Sequence, residues 1–100
     1  MGLLDGKSGI VTGAAQGFGL ATAKRLAEEG ASVALVDIKA DKVNAAAESL
    51  VSEGLNAIAV KADVSDENAT IRMLDEAEQA FGKLNFIHQN AAIQVEKLLH

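Results

Sequence analysis

Four short apolar segments alternate along the chain with three longer segments whose apolar residues recur at helical spacing. The apolar segments, which we predict to be strands, are Lys7–Thr12, Ser32–Val36, Ala57–Val60 and Leu84–His88. Apolar strands separated by a dozen or more helical residues pair in parallel, and right-handed crossovers place the helices on both faces of the sheet. We therefore predict an α/β fold of three layers, with a parallel sheet in the order 3-2-1-4 that is truncated after its fourth strand.

The three helical segments have sequence signals at both ends. The first is predicted from Gly17 to about Glu29, the second is capped by Asp41 and ends at Gly54, and the third is capped by Ser65 and ends before Gly82. The predicted inward stripes are Gly19, Ala23, Leu26 and Gly30, then Val43, Ala46, Ala47 and Leu50, then Thr70, Leu74, Ala77 and Phe81.

Composition limits the classes of function. One hundred residues with 49% apolar content make one small domain, residues 1–100. A net charge of -5 argues against binding to nucleic acid or to an anionic membrane surface, and no apolar run is long enough to span a membrane. Because the chain has no cysteine and two histidines without ligand spacing, we expect no metal site. We expect a cytoplasmic protein.

A glycine turn, Thr12-Gly13-Ala14-Ala15-Gln16-Gly17-Phe18-Gly19, joins the first strand to the first helix. Such a turn leaves backbone N–H groups and the positive end of the helix dipole facing outward. Glycine also lets a pyrophosphate approach the backbone closely. The turn therefore predicts a cradle for a dinucleotide.

Asp37 closes the second strand, eighteen residues after Gly19, where a carboxylate can accept hydrogen bonds from an adenosine ribose. A carboxylate there repels a 2′-phosphate, and neither Gln16 nor Ile38 supplies a basic partner for one. We therefore expect NAD to be preferred over NADP. Asp63, at the end of the third strand, fits either an adenine contact or an ordinary helix-capping loop.

Together these motifs resemble those of the short-chain dehydrogenases/reductases, over the whole chain. Thr12–Gly19 matches the family's TGxxxGxG, Asp63–Asp66 resembles its adenine-pocket motif, and Gly82–Ile93 is similar to its fourth-strand motif. The resemblance implies a Rossmann-type fold and the NAD-binding portion of an oxidoreductase that transfers hydride between NAD and an alcohol or carbonyl substrate. The cofactor-binding residues it implies are Gly13, Gln16, Gly17, Phe18 (through its backbone), Gly19, Asp37, Ile38, Asp63, Val64, Asn90 and Ala91.

The chain departs from the family pattern around the fourth strand. Asn85 replaces the usual aspartate, Gln89 the first asparagine of the motif and Ala92 its glycine, which we expect to weaken cofactor binding. His88 stands where an apolar strand residue is usual, and we predict a hydrogen-bonded core histidine there.

The family's catalytic serine, tyrosine and lysine lie beyond a hundredth residue, and this chain contains no tyrosine. We therefore predict no catalytic residue and no turnover by the chain alone. Two alternatives stay open, a non-catalytic nucleotide-binding or structural module and a fragment of an S-adenosylmethionine-dependent methyltransferase.

The fourth strand is also predicted to be an unpaired edge that carries Phe86 and Ile87. Val95, Leu98 and Leu99 form a second apolar stripe near the C-terminus. We expect a homo-oligomer, most simply a two-fold dimer, through this edge and the C-terminal segment.

Overall fold

A computed structural model describes residues 2–89 of the chain. Its elements are β1 (Ser8–Thr12), α1 (Gly17–Glu28), β2 (Ser32–Asp37), α2 (Ala40–Ser52), β3 (Ala57–Lys61), α3 (Glu67–Phe81) and β4 (Phe86–His88). The four strands are parallel and lie in the order β3-β2-β1-β4. The predicted α/β class and strand order are confirmed.

The sheet separates two apolar cores, because successive strand residues point to opposite faces. On one face Val11, Val33 and Leu35 pack with α1 and α2, where Leu50 is 1% exposed. On the other face Ile10, Val36 and Val60 pack against α3. Full burial of a leucine or isoleucine side chain contributes about 1.5–3 kcal/mol. These two cores therefore keep the carboxyl ends of the strands in a fixed geometry.

The buried stripe was predicted correctly for one helix and was displaced in the other two. In α2 the buried residues are those expected, Val43, Ala46, Ala47 and Leu50. In α1 they are Gly19, Ala23 and Ala27, while Leu26 is partly buried against the core and the exposed Gly30 was a wrong member of the stripe. In α3 they are Ala69, Met73 and Ala77, while Leu74 and Phe81 only flank the core. Thr70 is one residue away from the buried stripe.

Two predicted helix caps were also wrong. Asp66, and not Ser65, caps α3, because its side chain accepts hydrogen bonds from the Asn68 and Ala69 backbone N–H groups. At α2 the N-cap residue is Lys39, and Asp41 lies inside the first turn without a capping hydrogen bond.

The strand β4 is shorter than predicted, with three residues at the edge of the described sheet. Below it, Asn85 takes over the pairing with β1: its Oδ1 accepts the Ser8 N–H at 2.9 Å, and its own N–H donates to the Ser8 carbonyl at 2.6 Å. The Ser8 hydroxyl donates to the Lys83 carbonyl. His88 is exposed, so the prediction of a core histidine was wrong, because β4 is an edge strand in the described part of the chain.

Candidate functional site

A cleft of about 140 Å³ lies at the carboxyl edge of the sheet. It is lined by Gly13, Val36, Asp37, Ile38, Ala62, Asp63 and Val64. These residues come from the ends of β1, β2 and β3, which meet at one edge because the strands are parallel. The fold thus brings together five of the residues that the sequence singled out, Gly13, Asp37, Ile38, Asp63 and Val64.

The glycine turn between β1 and α1 forms one wall of this cleft. It begins and ends on left-handed glycines, with φ of +63° at Gly13 and +62° at Gly17, a conformation that other residues adopt only with strain. Between them, the Ala14 N–H donates to the Val36 carbonyl at 3.1 Å, and the Ala15 N–H donates to Asp37 Oδ2 at 3.1 Å. The turn is therefore fastened to the end of β2.

The N-terminus of α1 differs chemically from those of the other described helices. Its N-cap residue, Gln16, makes no capping hydrogen bond through its side chain, and its first turn contains no acidic residue. By contrast, Asp41 lies in the first turn of α2, and Asp66 caps α3. Backbone donors without a competing carboxylate make α1 the helix whose N-terminus best suits an anion.

Around that N-terminus the side chains differ in exposure. Gln16, Gly17 and Phe18 are exposed, and Phe18 retains 85% of its accessible surface. Gly19 is buried against the sheet. The predicted residues of the turn therefore divide into an exposed rim and a buried base.

Asp37 is half-buried, and both of its carboxylate oxygens have backbone partners. Oδ2 accepts from Ala15, as described above, and Oδ1 accepts from the Lys39 N–H at 3.1 Å. An ionised carboxylate offers about four lone-pair sites, so two further hydrogen bonds fit without displacing either amide. The carboxylate can therefore still accept from hydroxyl groups in the cleft.

Asp63 is exposed and takes part in the loop that leads into α3. Its Oδ1 accepts the Ser65 N–H at 2.9 Å and the Ser65 hydroxyl at 2.6 Å. Of the two interpretations offered by the sequence, the loop contact is therefore present, and the adenine contact stays a prediction.

Three lysines lie close to Ile38, at the end of β2, and the sequence analysis missed them. Lys39, Lys42 and Lys61 line a shallow depression with Ile38, and Lys42 Nζ donates to Gln16 Oε1 at 3.4 Å. Gln16 and Lys42 are 26 residues apart, so only the fold places an ammonium group beside the glycine turn. A signal was present in the lysine spacing at the start of α2, since Lys39 and Lys42 are one helical turn apart.

Asn90 and Ala91, predicted from the fourth-strand motif, lie outside the described residues, as does the apolar stripe Val95, Leu98 and Leu99. Among residues 2–89, no three His, Cys, Asp or Glu side chains cluster in a way that could hold a metal ion. Within the same range, no helix has the length and apolar character needed to cross a membrane.

Comparisons with known proteins agree on one family. The family model for short chain dehydrogenases matches residues 7–100. An uncharacterized oxidoreductase of Mycobacterium tuberculosis is 50% identical over 91 residues, which make up 91% of this chain and 37% of the relative.

Solved structures show the same likeness. Hydroxysteroid dehydrogenase from Escherichia coli superposes with a TM-score of 0.84 at 35% identity, over 86% of this chain and 37% of that one. A short chain dehydrogenase/reductase from Burkholderia phymatum in complex with NAD gives a TM-score of 0.82 at 33% identity, over 87% of this chain and 31% of that one. The chain thus spans about a third of the length of these relatives. Since the family model covers nearly the whole sequence and the fold agrees with it, this chain belongs to the short chain dehydrogenase family.

Proposed function

We propose that this chain is the NAD-binding portion of a short-chain oxidoreductase, folded as a single dinucleotide-binding domain. The observation that carries the proposal is the cleft at the carboxyl edge of the sheet, where the glycine turn, Asp37 and Asp63 meet. Open α/β sheets bind their ligands at this edge. The first turn of α1 contains no acidic residue, and this favours binding of a pyrophosphate at the N-terminus of that helix.

Each residue has a proposed role toward the dinucleotide. Gly13, Gly17 and Gly19 allow the backbone to approach the pyrophosphate, and Gln16 and Phe18 present their backbone at the same turn. Asp37 accepts from the adenosine ribose, with Ile38 beside it. Asp63 and Val64 border the adenine, and Asn90 and Ala91, which belong to the motif that follows β4 in the sequence, are proposed as further cofactor contacts.

When NAD is bound, its nicotinamide ring supplies the hydride chemistry of the oxidoreductases. The hundred residues contain no tyrosine, so the family's tyrosine is not available here as a general acid for such a transfer. We therefore propose that this polypeptide binds cofactor without turnover when tested by itself. Steady oxidation of an alcohol by the purified 100-residue chain would contradict that proposal.

Isothermal calorimetry tests the binding itself. We expect heat of binding with NAD and none with S-adenosylmethionine, the ligand of the methyltransferase alternative, which family membership disfavours. Asp37→Ala should weaken NAD, whereas Asp41→Ala removes the same charge from a nearby exposed position and should leave NAD affinity within about twofold. Parent chain that binds no NAD would refute the proposed function.

The preference for NAD over NADP is proposed to rest on Asp37. Hydrogen bonds to a charged group contribute about 1.5–3 kcal/mol each, and repulsion of a 2′-phosphate adds to the discrimination. Asp37→Ala should therefore lower the ratio of NAD affinity to NADP affinity. An unchanged ratio would show that Asp37 is not the ribose ligand.

We also propose that the chain forms a homodimer through the edge of β4. Ile87 on this strand is 49% exposed, and β4 is paired with another strand only on its β1 side in the described sheet. Sedimentation should show that Ile87→Lys shifts the chain toward monomer. The matched variant Ile71→Lys, at a position 51% exposed on α3, should not. A parent that is monomeric at every concentration tested would refute the dimer.

A further inference from the structure

The cradle for the pyrophosphate and the carboxylate for the ribose are joined by a hydrogen bond. The Ala15 N–H, in the middle of the glycine turn, donates to Asp37 Oδ2 at 3.1 Å across 22 residues of sequence. The same carboxylate accepts the Lys39 N–H through Oδ1 at 3.1 Å. One side chain thus holds the turn on one side and the start of α2 on the other.

The turn is also held by packing, because Ala14 and Ala15 both lie in the apolar core that contains Val33 and Leu35 of β2. Ala14 is fully buried and its N–H bonds to the Val36 carbonyl at 3.1 Å, so β2 holds the first half of the turn through the backbone. The second half consists of Ala15 and Gln16, and Gln16 is the extended N-cap residue, with φ of -163°, after which α1 begins. Gln16 Oε1 accepts from Lys42 Nζ of α2 at 3.4 Å, and the bond from the Ala15 N–H to Asp37 is the hydrogen bond between this second half and β2.

We infer that Asp37 is a positioning residue for the glycine turn, in addition to the ribose role on which this inference rests. Its carboxylate orders the Ala15 backbone before any ligand arrives, and so holds in place the segment that leads into the N-terminus of α1. Each carboxylate oxygen has a second lone pair, and a ribose hydroxyl can be accepted while the turn remains fastened. Removing the carboxylate therefore weakens the grip on the pyrophosphate as well as on the ribose.

Amide hydrogen exchange on the ligand-free chain tests this directly. In Asp37→Ala the Ala15 and Lys39 amides should exchange at least about tenfold faster than in the parent, since both lose their acceptor. Amides in the buried centre of β2, such as Leu35, should stay within about twofold and report that the fold is intact. Asp41→Asn, which removes a nearby charge that bonds neither amide, should leave Ala15 unchanged.

Asp37→Asn is a milder second variant, because its carboxamide keeps one oxygen for two donors. An Ala15 exchange rate equal to that of the parent in Asp37→Ala would overturn the inference, as would unchanged rates at both Ala15 and Lys39 in Asp37→Asn. An equal acceleration of Ala15 and of the β2 amides would also overturn it, because that pattern reports global unfolding rather than a released turn.

Binding supplies a second readout that separates positioning from direct contact. The probe is NAD whose adenosine ribose lacks both hydroxyls, so that Asp37 has no hydroxyl to bind. If Asp37 only binds the ribose, Asp37→Ala should leave the affinity for this dideoxy analogue within about twofold. That result would contradict the positioning role. Positioning predicts a loss of about three- to tenfold for the analogue as well. If the parent bound neither NAD nor the analogue, the proposed function would fail, while the exchange experiment would still decide whether Asp37 orders the turn.

Discussion

The contact between Gly9 and Phe86 is the sharpest test of how β4 is attached to the sheet. Gly9 of β1 pairs with Phe86 of β4, and the aromatic ring covers the glycine. A Cβ atom added at Gly9 would lie 2.5 Å from Phe86 Cγ and still closer to two other ring atoms. Gly9→Ala therefore forces the ring, and β4 with it, away from β1.

The expected loss can be estimated from packing energetics. Inserting one methyl group into a filled site destabilises a protein by about 1–3 kcal/mol. Phe86→Ala alone removes a half-buried ring, and we expect a loss of about 1–3 kcal/mol, below the range for a fully buried phenylalanine. In the double variant the alanine methyl occupies space that the ring has left, so the combined loss should fall short of the sum by at least about 1 kcal/mol.

Urea unfolding followed by far-UV circular dichroism measures these free energies, since the chain lacks tryptophan and tyrosine for a fluorescence probe. Gly17→Ala is the matched control: its φ is +62°, and nothing lies within 4 Å of an added Cβ. It should cost about 1 kcal/mol through backbone strain, and that loss should add to the loss from Phe86→Ala. If the Gly9→Ala and Phe86→Ala losses were additive too, the ring would not occupy the space over Gly9.

Three further predictions concern individual contacts. Asp66→Ala should destabilise the chain by about 1 kcal/mol in urea unfolding, and Ser65→Ala by less than half as much, because only Asp66 caps α3. Asn85→Ala should cost about 1–3 kcal/mol in the same assay, because it leaves the buried Ser8 N–H without its side-chain acceptor. Asn85→Asp keeps an acceptor oxygen and should cost less, so equal losses from the two variants would contradict this role. Lys42→Ala should lower NADP affinity about threefold in calorimetry at low salt and leave NAD affinity within about twofold, because the ammonium group beside the glycine turn attracts the additional phosphate of NADP. This difference between the two cofactors should vanish at high salt, and a difference that did not depend on salt would exclude an electrostatic cause.

The arrangement of the sheet followed from sequence because it depends on patterns that repeat over many residues. The alternation of apolar strands and periodic helices is enough to predict the strand order, and Val43 and Leu50 share a stripe that no competing pattern disturbs. Gly13, Asp37 and Asp63 lie at one edge of the sheet because they follow strands that run in parallel, which the same alternation predicts.

Details that depend on a single residue were harder to predict. Ser65 and Asp66 are both good capping residues, and only the Asx turn of Asp63, which engages Ser65, leaves the cap to Asp66. The length of β4 depends on the side chain of Asn85, which bonds the backbone of a residue 77 positions away.

At the site, Lys42 and the bond between Ala15 and Asp37 were missed for the same physical reason. Both contacts join segments more than twenty residues apart, through side-chain atoms whose direction no local pattern encodes. Sequence reasoning thus identified the groups that could meet a ligand, but not the bonds those groups make with each other.

The pairing of the strands also orders the events of folding. Between β2 and β3, Ser32 and Asn56 are bonded across 24 residues, whereas the bond of Ser8 with Asn85, beneath β1 and β4, closes a loop of 77 residues. Closing the longer loop costs about 1 kcal/mol more in chain entropy, and the β4 strand that it brings into the sheet has only three residues to offset that cost. We therefore expect β1, β2 and β3, with their two short crossovers, to assemble first and β4 to join last. For the same reason β4 should be the first strand to detach when the native chain opens locally.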